Sequence, residues 1–299
     1  MSHGLQDPGS GKKTILVVTS QVVRGAISGR GLVFALERLG HTVWFLPTIL
    51  LPWHPGHGPG HRIVPPNDDF GALVDDLIAS DRLGDVDAVI SGYLGDSGQA
   101  DVISRLVAAV KSVNPKALYL CDPVMGDHQS ASGGGLYVPE ARAEAIRDTL
   151  VPAADIVTPN SFELGWLTSA EIGTETEALQ AARYLGNERV LVTSAPALRR
   201  NAISNLLVAP GAAYCTEHAA IQDPPHGTGD LIAGLFLSAY LDGAAEDVAL
   251  TRAAAATFEI VARSVKREAD ELLLAQEQQS LVRPMALVSN RRVLEAARA

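Results

Sequence analysis

Thr14-Ile15-Leu16-Val17-Val18-Thr19 opens a pattern that decides the fold, because residues 31–39 follow it with helical spacing and residues 42–46 with a second β-branched run. The first run is apolar almost throughout, which predicts a strand covered on both faces. Leu32, Val33, Leu36 and Leu39 share one helical face, and Gly40 stops that helix. Strand, helix, strand is the repeating unit of a parallel sheet. The alternation continues. Residues 68–78 carry Phe70, Leu73, Val74 and Leu77 on one face, and 88–90, 100–113 and 117–121 read as strand, helix and strand. A helix over 139–150 begins with Pro and Glu, which suits a first turn. Strands at 156–158 and 190–193 flank a helix at 175–185, and strands 203–208 and 213–215 join through Pro210-Gly211 as a hairpin. From Asp230 to about Gln279 the chain reads as helix, broken near Asp242-Gly243. The expected fold class is α/β, a three-layer α-β-α sandwich with a mostly parallel central sheet.

The 299 residues are ample for a sizeable core and fit one large α/β domain or two small ones. No linker or internal repeat divides them, so residues 14–283 are read as a single domain between a flexible leader at 1–13 and a tail at 284–299. Leu287, Val288, Val293 and Leu294 give the tail the apolar content of a short helix. Hydrophobic residues make up 47% of the chain, which excludes intrinsic disorder. A net charge of −10 without any Lys/Arg block argues against nucleic acid or an anionic membrane as partner. A negative protein that binds phosphate needs local donors or a cation, which points to Mg²⁺. Cys121 and Cys215 allow one disulfide, but Cys121 ends an apolar run and reads as a buried, reduced thiol, as in the cytoplasm. No apolar run reaches the length of a membrane span, and the leader lacks the apolar core of a signal peptide. Gly9-Ser10-Gly11-Lys12-Lys13-Thr14 imitates the end of a phosphate-binding P-loop. Gln6 stands where its first glycine belongs, and the strand follows the glycines instead of preceding them, so that reading fails.

Ligands of such sheets bind beyond the carboxyl ends of the strands. Ser20 to Gly25, Ser91-Gly92-Tyr93-Leu94-Gly95, Asp122 to Asp127, Thr158 to Glu163 and Thr193-Ser194 all follow strands and gather polar groups on one rim. The long Pro/Gly/His-rich loop at 50–66, with His54 and His57, is expected to be a flap over that rim. His226-Gly227-Thr228-Gly229-Asp230 leads into the apolar run Leu231 to Phe236. Its two glycines let backbone approach a bound group. The helix N-terminus beyond them presents unpaired N–H groups and the positive dipole end to anionic oxygen, phosphate above all. Asp230 either complements that dipole or takes a proton from an attacking hydroxyl. Asn160 and Glu163 fit a capping box as well as a metal site, and Asp122 fits an Asx turn as well as a place beside phosphate. Thr193-Ser194 fit a plain strand end. Tyr93 fits a loop aromatic, although its nearby glycines favour close approach of an aromatic ligand. His54, His57 and His61 lack the flanking cysteines, near carboxylate and helical register of a metal site, and His226 reads as a spacer.

In order and spacing, Ser-Gln-Val-Val-x-Gly at 20–25, Ser-Gly-Tyr-Leu-Gly at 91–95, Cys-Asp-Pro-Val-Met-Gly at 121–126, Gly-Leu-Tyr-Val at 135–138, Thr-Pro-Asn-x-x-Glu at 158–163 and Gly-Thr-Gly-Asp at 227–230 resemble the pyridoxal kinases. These are a branch of the ribokinase-like small-molecule kinases. The resemblance runs from about Ile15 to about Lys266. Gly-Thr-Gly-Asp marks only the broad group, whereas the 91–95 and 121–126 motifs together are far more specific for the branch.

The resemblance implies a ribokinase-like fold and ATP-dependent phosphorylation of the 5′-hydroxyl of pyridoxal and related B6 vitamers to pyridoxal 5′-phosphate. It implies that Asp230 is the general base and that the amides of Gly227, Thr228 and Gly229 form an anion hole. By the same resemblance, Ser20, Val22, His54 and Tyr93 meet the substrate. Asp122, Tyr137, Asn160, Thr193, Ser194 and Thr228 meet ATP, and Glu163 and Asp122 help hold Mg²⁺. A monovalent cation such as K⁺ and a homodimer are common in the group. Gly133-Gly134-Gly135 would make the Tyr137 segment mobile. Two places depart from the pattern. The flap reads Pro52-Trp53-His54-Pro55-Gly56-His57 where the family has Ser-Asn-His-Thr-Gly-Tyr, so a hydroxyl is lost at Pro55 and a tyrosine at His57. Ile27-Ser28-Gly29 stands for Val-Gly-Asn. Substrate identity is therefore more open than reaction type. The alternatives are a kinase for a related hydroxymethyl heterocycle, such as hydroxymethylpyrimidine, and a non-catalytic B6-binding homologue, which would have no need of Asp230.

Overall fold

In the computed structural model, which describes residues 12–128 and 134–294, a nine-stranded sheet carries helices on both faces. The leader through Gly11, with most of the P-loop look-alike, and Gly133 lie outside the described residues. Along the chain, β1 (Thr14–Val22), α1 (Ser28–Arg38), β2 (Thr42–Leu51), α2 (Asn67–Ala79), β3 (Val86–Ser91), α3 (Gln99–Val113) and β4 (Leu118–Cys121) alternate as the apolar pattern predicts. A small hairpin, β5 (Gly126–Asp127) with β6 (Gly135–Leu136), precedes α4 (Glu140–Ala145), β7 (Ile156–Val157), α5 (Ser161–Thr168), α6 (Glu175–Leu185) and β8 (Arg189–Ala195). Then come β9 (Ala202–Ala209), β10 (Ala212–Ala219), α7 (Thr228–Leu241), α8 (Glu246–Lys266), α9 (Gln278–Val282) and β11 (Ser289–Arg292). The strand order is β11-β10-β9-β8-β7-β4-β3-β1-β2. Pairing is parallel from β2 through β8 and antiparallel from β8 through β11.

Successive side chains of a strand point to opposite faces, and this divides the core. Ile15, Val17, Ala88, Ile90 and Leu120 meet α1, α7 and α8 on one face. Leu16, Val18, Val89 and Tyr119 meet α2, α3 and α4 on the other. Farther along the sheet, α5 and α6 close over Val190, Val192 and Leu206. The three-layer arrangement expected from the sequence is the observed one. Cys121 and Cys215 are buried free thiols. No helix of the described residues is long and apolar enough to cross a membrane.

The contact between α1 and α7 bears on the site, because α7 carries Asp230. A Cβ on Gly234 would come within 2.1 Å of Leu32 Cδ1, and Leu32 is itself buried. Gly234→Ala is therefore expected to lower the urea midpoint. Overpacking costs about 1–3 kcal/mol, against roughly 1 kcal/mol gained in helix propensity. A raised midpoint would show that Leu32 has room to yield.

Several local expectations are corrected. β1 runs past Thr19 to Val22, so Ser20 and Val22 lie within the strand. The 139–150 helix is α4 followed by a π-helical turn at Ile146–Leu150. α8 ends at Lys266, Glu268 turns left-handed, and 267–277 is not helical. The 50–66 loop is not structureless. β2 continues to Leu51, Leu50 and Ile63 exchange backbone bonds of 2.8 and 3.0 Å, and a 3-10 turn spans Pro55–His57. Among its described residues, the tail supplies a strand in place of the expected short helix. β11 pairs with β10, and Arg291 reaches Glu175 and Glu217, while Leu287 and Leu294 stay exposed. A free strand edge offers 289–292 a ready ladder of partners, whereas an isolated short helix is unfavourable to nucleate.

Candidate active site

Gly227 is the N-cap of α7 at φ +95°, a left-handed conformation that glycine takes without strain. Its carbonyl accepts the Leu231 amide at 3.1 Å, which starts the helix and leaves the amides of Thr228 and Gly229 without intrahelical acceptors. A Cβ on Gly229 would meet nothing within 4 Å, so that side of the turn is open. Asp230, half-buried in the same turn, accepts the Ser28 amide on Oδ2 at 3.2 Å. The first turns of α1 and α7 thus meet at one carboxylate. Ser28 adopts φ +47°, an unfavourable conformation for serine of the kind that collects at functional sites. Burial pushes the Asp230 carboxyl up to about 6, against the Ser28 amide.

Asp122 follows β4 directly and is only 7% exposed. The Thr158 hydroxyl donates to its Oδ1 at 3.0 Å. Burial, then the charges of Asp230 and Glu163, hold its carboxyl well above the usual carboxylate range. Two further acids thus add to the cost of ionising Asp122. A carboxyl raised in this way contributes stability that is full at low pH and is lost as pH rises through the folded-state value. Asp122→Asn is expected to raise the thermal midpoint at alkaline pH and to flatten its fall as pH rises above the usual carboxylate range. A pH–midpoint curve identical to wild type would show that burial and the neighbouring acids do not oppose ionisation of Asp122.

Asn160 caps α5. Its side chain accepts the Glu163 amide at 2.9 Å, and Glu163 Oε2 accepts the Asn160 amide at 2.9 Å, so the capping box is formed. Glu163 Oε1 also accepts the amides of Met125 at 3.0 Å and Gly126 at 3.4 Å, a second attachment that spacing alone cannot reveal. Burial pushes Glu163 up to about 8 even so. Asn160 Nδ2 donates to the Gly126 carbonyl at 2.8 Å, and its backbone bridges to Thr193. The pair therefore ties together the segments leaving β4, β7 and β8. Thr193 is buried, and Ser194 turns outward at φ +50°. Tyr137, just after β6, donates its amide to Met125 O at 3.0 Å and leaves its ring half-exposed.

Toward β1 and β2 the site becomes apolar. Ser20 is buried near the end of β1, and Val22 packs with Ile49, Leu51, Ile27 and Tyr93. The Tyr93 amide donates to Thr19 Oγ1 at 3.0 Å. Its hydroxyl accepts Arg62 at 2.6 Å and Arg142 at 3.1 Å, two partners from the flap and from α4 that no sequence pattern announces. The His54 ring lies 4.0 Å from the His226 ring at a tilt of 36°. His226 is therefore a seat for the flap and not a spacer. Burial, with His226 and His57 adding to it, pushes His54 down to about 4, so its ring is neutral at pH 7. The Gly56 amide donates to Nδ1 at 3.1 Å, which leaves Nε2–H as the donor His54 can offer. His61 is exposed on the same loop.

Amides, carboxylates, an aromatic ring and a neutral imidazole thus meet beyond the carboxyl ends of the parallel strands. Residues 74–272 match the family model of phosphomethylpyrimidine kinase. A pyridoxal kinase PdxY from Corynebacterium diphtheriae is 34% identical over 275 residues, which is 90% of this chain and 96% of that protein. Another, from Rubrobacter xylanophilus, is 36% identical over 291 residues, 95% of this chain and 98% of its own. The chain belongs to the pyridoxal kinase family. Among solved pyridoxal kinases, the one from Leishmania donovani in complex with ADP and pyridoxamine matches with a TM-score of 0.87 at 24% identity, over 95% of this chain and 100% of that one. The Entamoeba histolytica pyridoxal kinase matches at 0.86 and 23%, over 94% and 100%. The pyridoxal kinase fold is the layered, mostly parallel arrangement described above.

Proposed function

We propose that this protein transfers the γ-phosphoryl group of ATP to the 5′-hydroxyl of pyridoxal and related B6 vitamers, giving pyridoxal 5′-phosphate and ADP. The observation that carries the reading is Asp230, fixed by the Ser28 amide beside the open first turn of α7. In this reading the hydroxyl oxygen forms the new P–O bond, the bond from the γ-phosphorus to the β-phosphate oxygen breaks, and Asp230 takes the proton. The amides of Gly227, Thr228 and Gly229 stabilise the charge spread over the transferred group. Holding both reactants in line supplies the rest.

Ser20, Val22, His54 and Tyr93 form the vitamin side of this site, and Asp122, Tyr137, Asn160, Thr193, Ser194 and Thr228 the nucleotide side. The acids fit Mg²⁺, because they offer only oxygen and the charges of Asp230 and Glu163 raise Asp122. Asp122 would face the ion directly, and Glu163, whose oxygens already accept amides, would act through the ion's waters. When bound, Mg²⁺ neutralises phosphate charge. A monovalent cation beside the nucleotide and a homodimeric assembly are part of the same reading and rest on the family alone.

The phosphomethylpyrimidine kinase model favours a second reading, phosphorylation of a hydroxymethylpyrimidine. A panel of pyridoxal, pyridoxine, pyridoxamine and hydroxymethylpyrimidine, assayed for ADP release with Mg-ATP, separates the two. Turnover is expected with the pyridines. Turnover confined to the pyrimidine would replace the proposal, and ADP release with none of them would make the chain a binder only.

A further inference from the structure

Between the flap and the turn after α8 lies a small cleft lined by Arg24, His54, His57, His226, Asp270 and Glu271. None of these side chains is assigned above to ATP or to Mg²⁺. His57, Asp270 and Glu271 each bring one ligand atom within 4.8 Å of the others. The acids lie far from His57 in sequence, so the carboxylates missing from the flap's own sequence are supplied by the fold. Those carboxylates already recruit a cation. Arg24 pairs with Asp270 and, through Nε at 3.3 Å, with Glu271. Glu271 Oε1, the oxygen of that second ion pair, is buried and makes no hydrogen bond. Gly25 keeps the place open, since at φ +113° its Cβ would lie 3.2 Å from that same oxygen. The His54 and His226 rings stand 6.3 and 6.5 Å from the His57 ring, so further imidazoles border the cleft. One imidazole with two carboxylates suits a borderline transition dication better than Mg²⁺, which prefers oxygen alone.

We propose that His57, Asp270 and Glu271 form a binding site for a transition-metal dication of the Zn²⁺ class, which displaces the Arg24 guanidinium and clasps the flap to the segment after α8. The flap then opens less readily, and turnover slows; this consequence, unlike the site itself, rests on the flap covering the substrate.

Cobalt(II) chloride is the probe, added to the full chain after chelator treatment, with visible d–d absorption as the readout. Saturable binding is expected at one equivalent. His57→Ala and Asp270→Asn should each weaken it by about tenfold or more, and Arg24→Ala should tighten it by removing the competing cation. His57 and Asp270 are exposed, so equal melting midpoints in chelator should show both variants folded. Unchanged Co²⁺ affinity in His57→Ala and Asp270→Asn, or weaker binding in Arg24→Ala, overturns the proposal. With saturating Mg-ATP, Zn²⁺ should slow wild type and spare Asp270→Asn. Equal inhibition of both would place the Zn²⁺ effect at the nucleotide and overturn the clasp. The Co²⁺ absorption uses no substrate, so a failure of the kinase reading would leave that result intact.

Discussion

Asp230→Asn is expected to lower kcat by about 10²–10⁴ while leaving the KM values for ATP and pyridoxal within a few-fold. The asparagine is isosteric and can still accept the Ser28 amide, so the turn should keep its shape. Only the capacity to take a proton is removed. The wild-type pH profile carries a second mark of the same group. Burial raises the Asp230 carboxyl to about 6. A base must be deprotonated to work, so kcat/KM should fall as pH drops through that region and level off above it. The stability effect has the opposite sense, because ionising a buried acid opposes folding. The variant should therefore melt no lower than wild type above about pH 6, which separates lost chemistry from lost structure. Steady-state kinetics with pH-resolved melting of both proteins makes the check. A variant of wild-type kcat would remove Asp230 from the reaction.

Gly227→Ala is the other change of large expected effect. At φ +95° an L side chain costs about 1–3 kcal/mol. The new Cβ would also stand 3.2 Å from Ile27 Cα, in the backbone that delivers the Ser28 amide to Asp230. A flexible side-chain tip could swing away; backbone must move as a segment. Relief therefore re-aims the first amides of α7, and loss of one well-aimed donor costs about 10²–10³ in kcat. The expected result is a fall of about 10²-fold or more in kcat with a lower melting midpoint. Gly229→Ala is the control, since its Cβ would meet nothing within 4 Å and helix propensity improves. Its midpoint should hold or rise. If Gly227→Ala melts and turns over like wild type, the left-handed cap is not what shapes this turn.

Much of this architecture was readable before any coordinates. Continuous apolar runs announce strands covered on both faces, and residues such as Leu32 and Leu36 announce a helix between them. That alternation alone fixes which strand ends share one rim, the rim where ligands of such sheets bind. Ser20, Tyr93, Asp122, Asn160 and Thr193 were found by looking there, and all lie at that end of the sheet. Local chemistry also predicted the Asn160–Glu163 capping box. What stayed hidden depends on chain segments far apart in sequence. The Ser28 amide on Asp230, the two guanidinium groups on Tyr93 and the acids beside His57 have no periodic signature. The tail misled for a related reason. Its apolar residues fit a helix locally, but a sheet edge assembled elsewhere offered better partners.

The strand formed by Ser289–Arg292 has one more implication. Without it, Tyr214 to Glu217 would show a bare ladder of amides and carbonyls at the rim of a large sheet. That ladder is an adhesive surface for any extended peptide, another copy of this chain included. A few polar residues far from the chemistry therefore act as a guard against clumping, and their loss would be felt first as poor solubility, well before catalysis suffered.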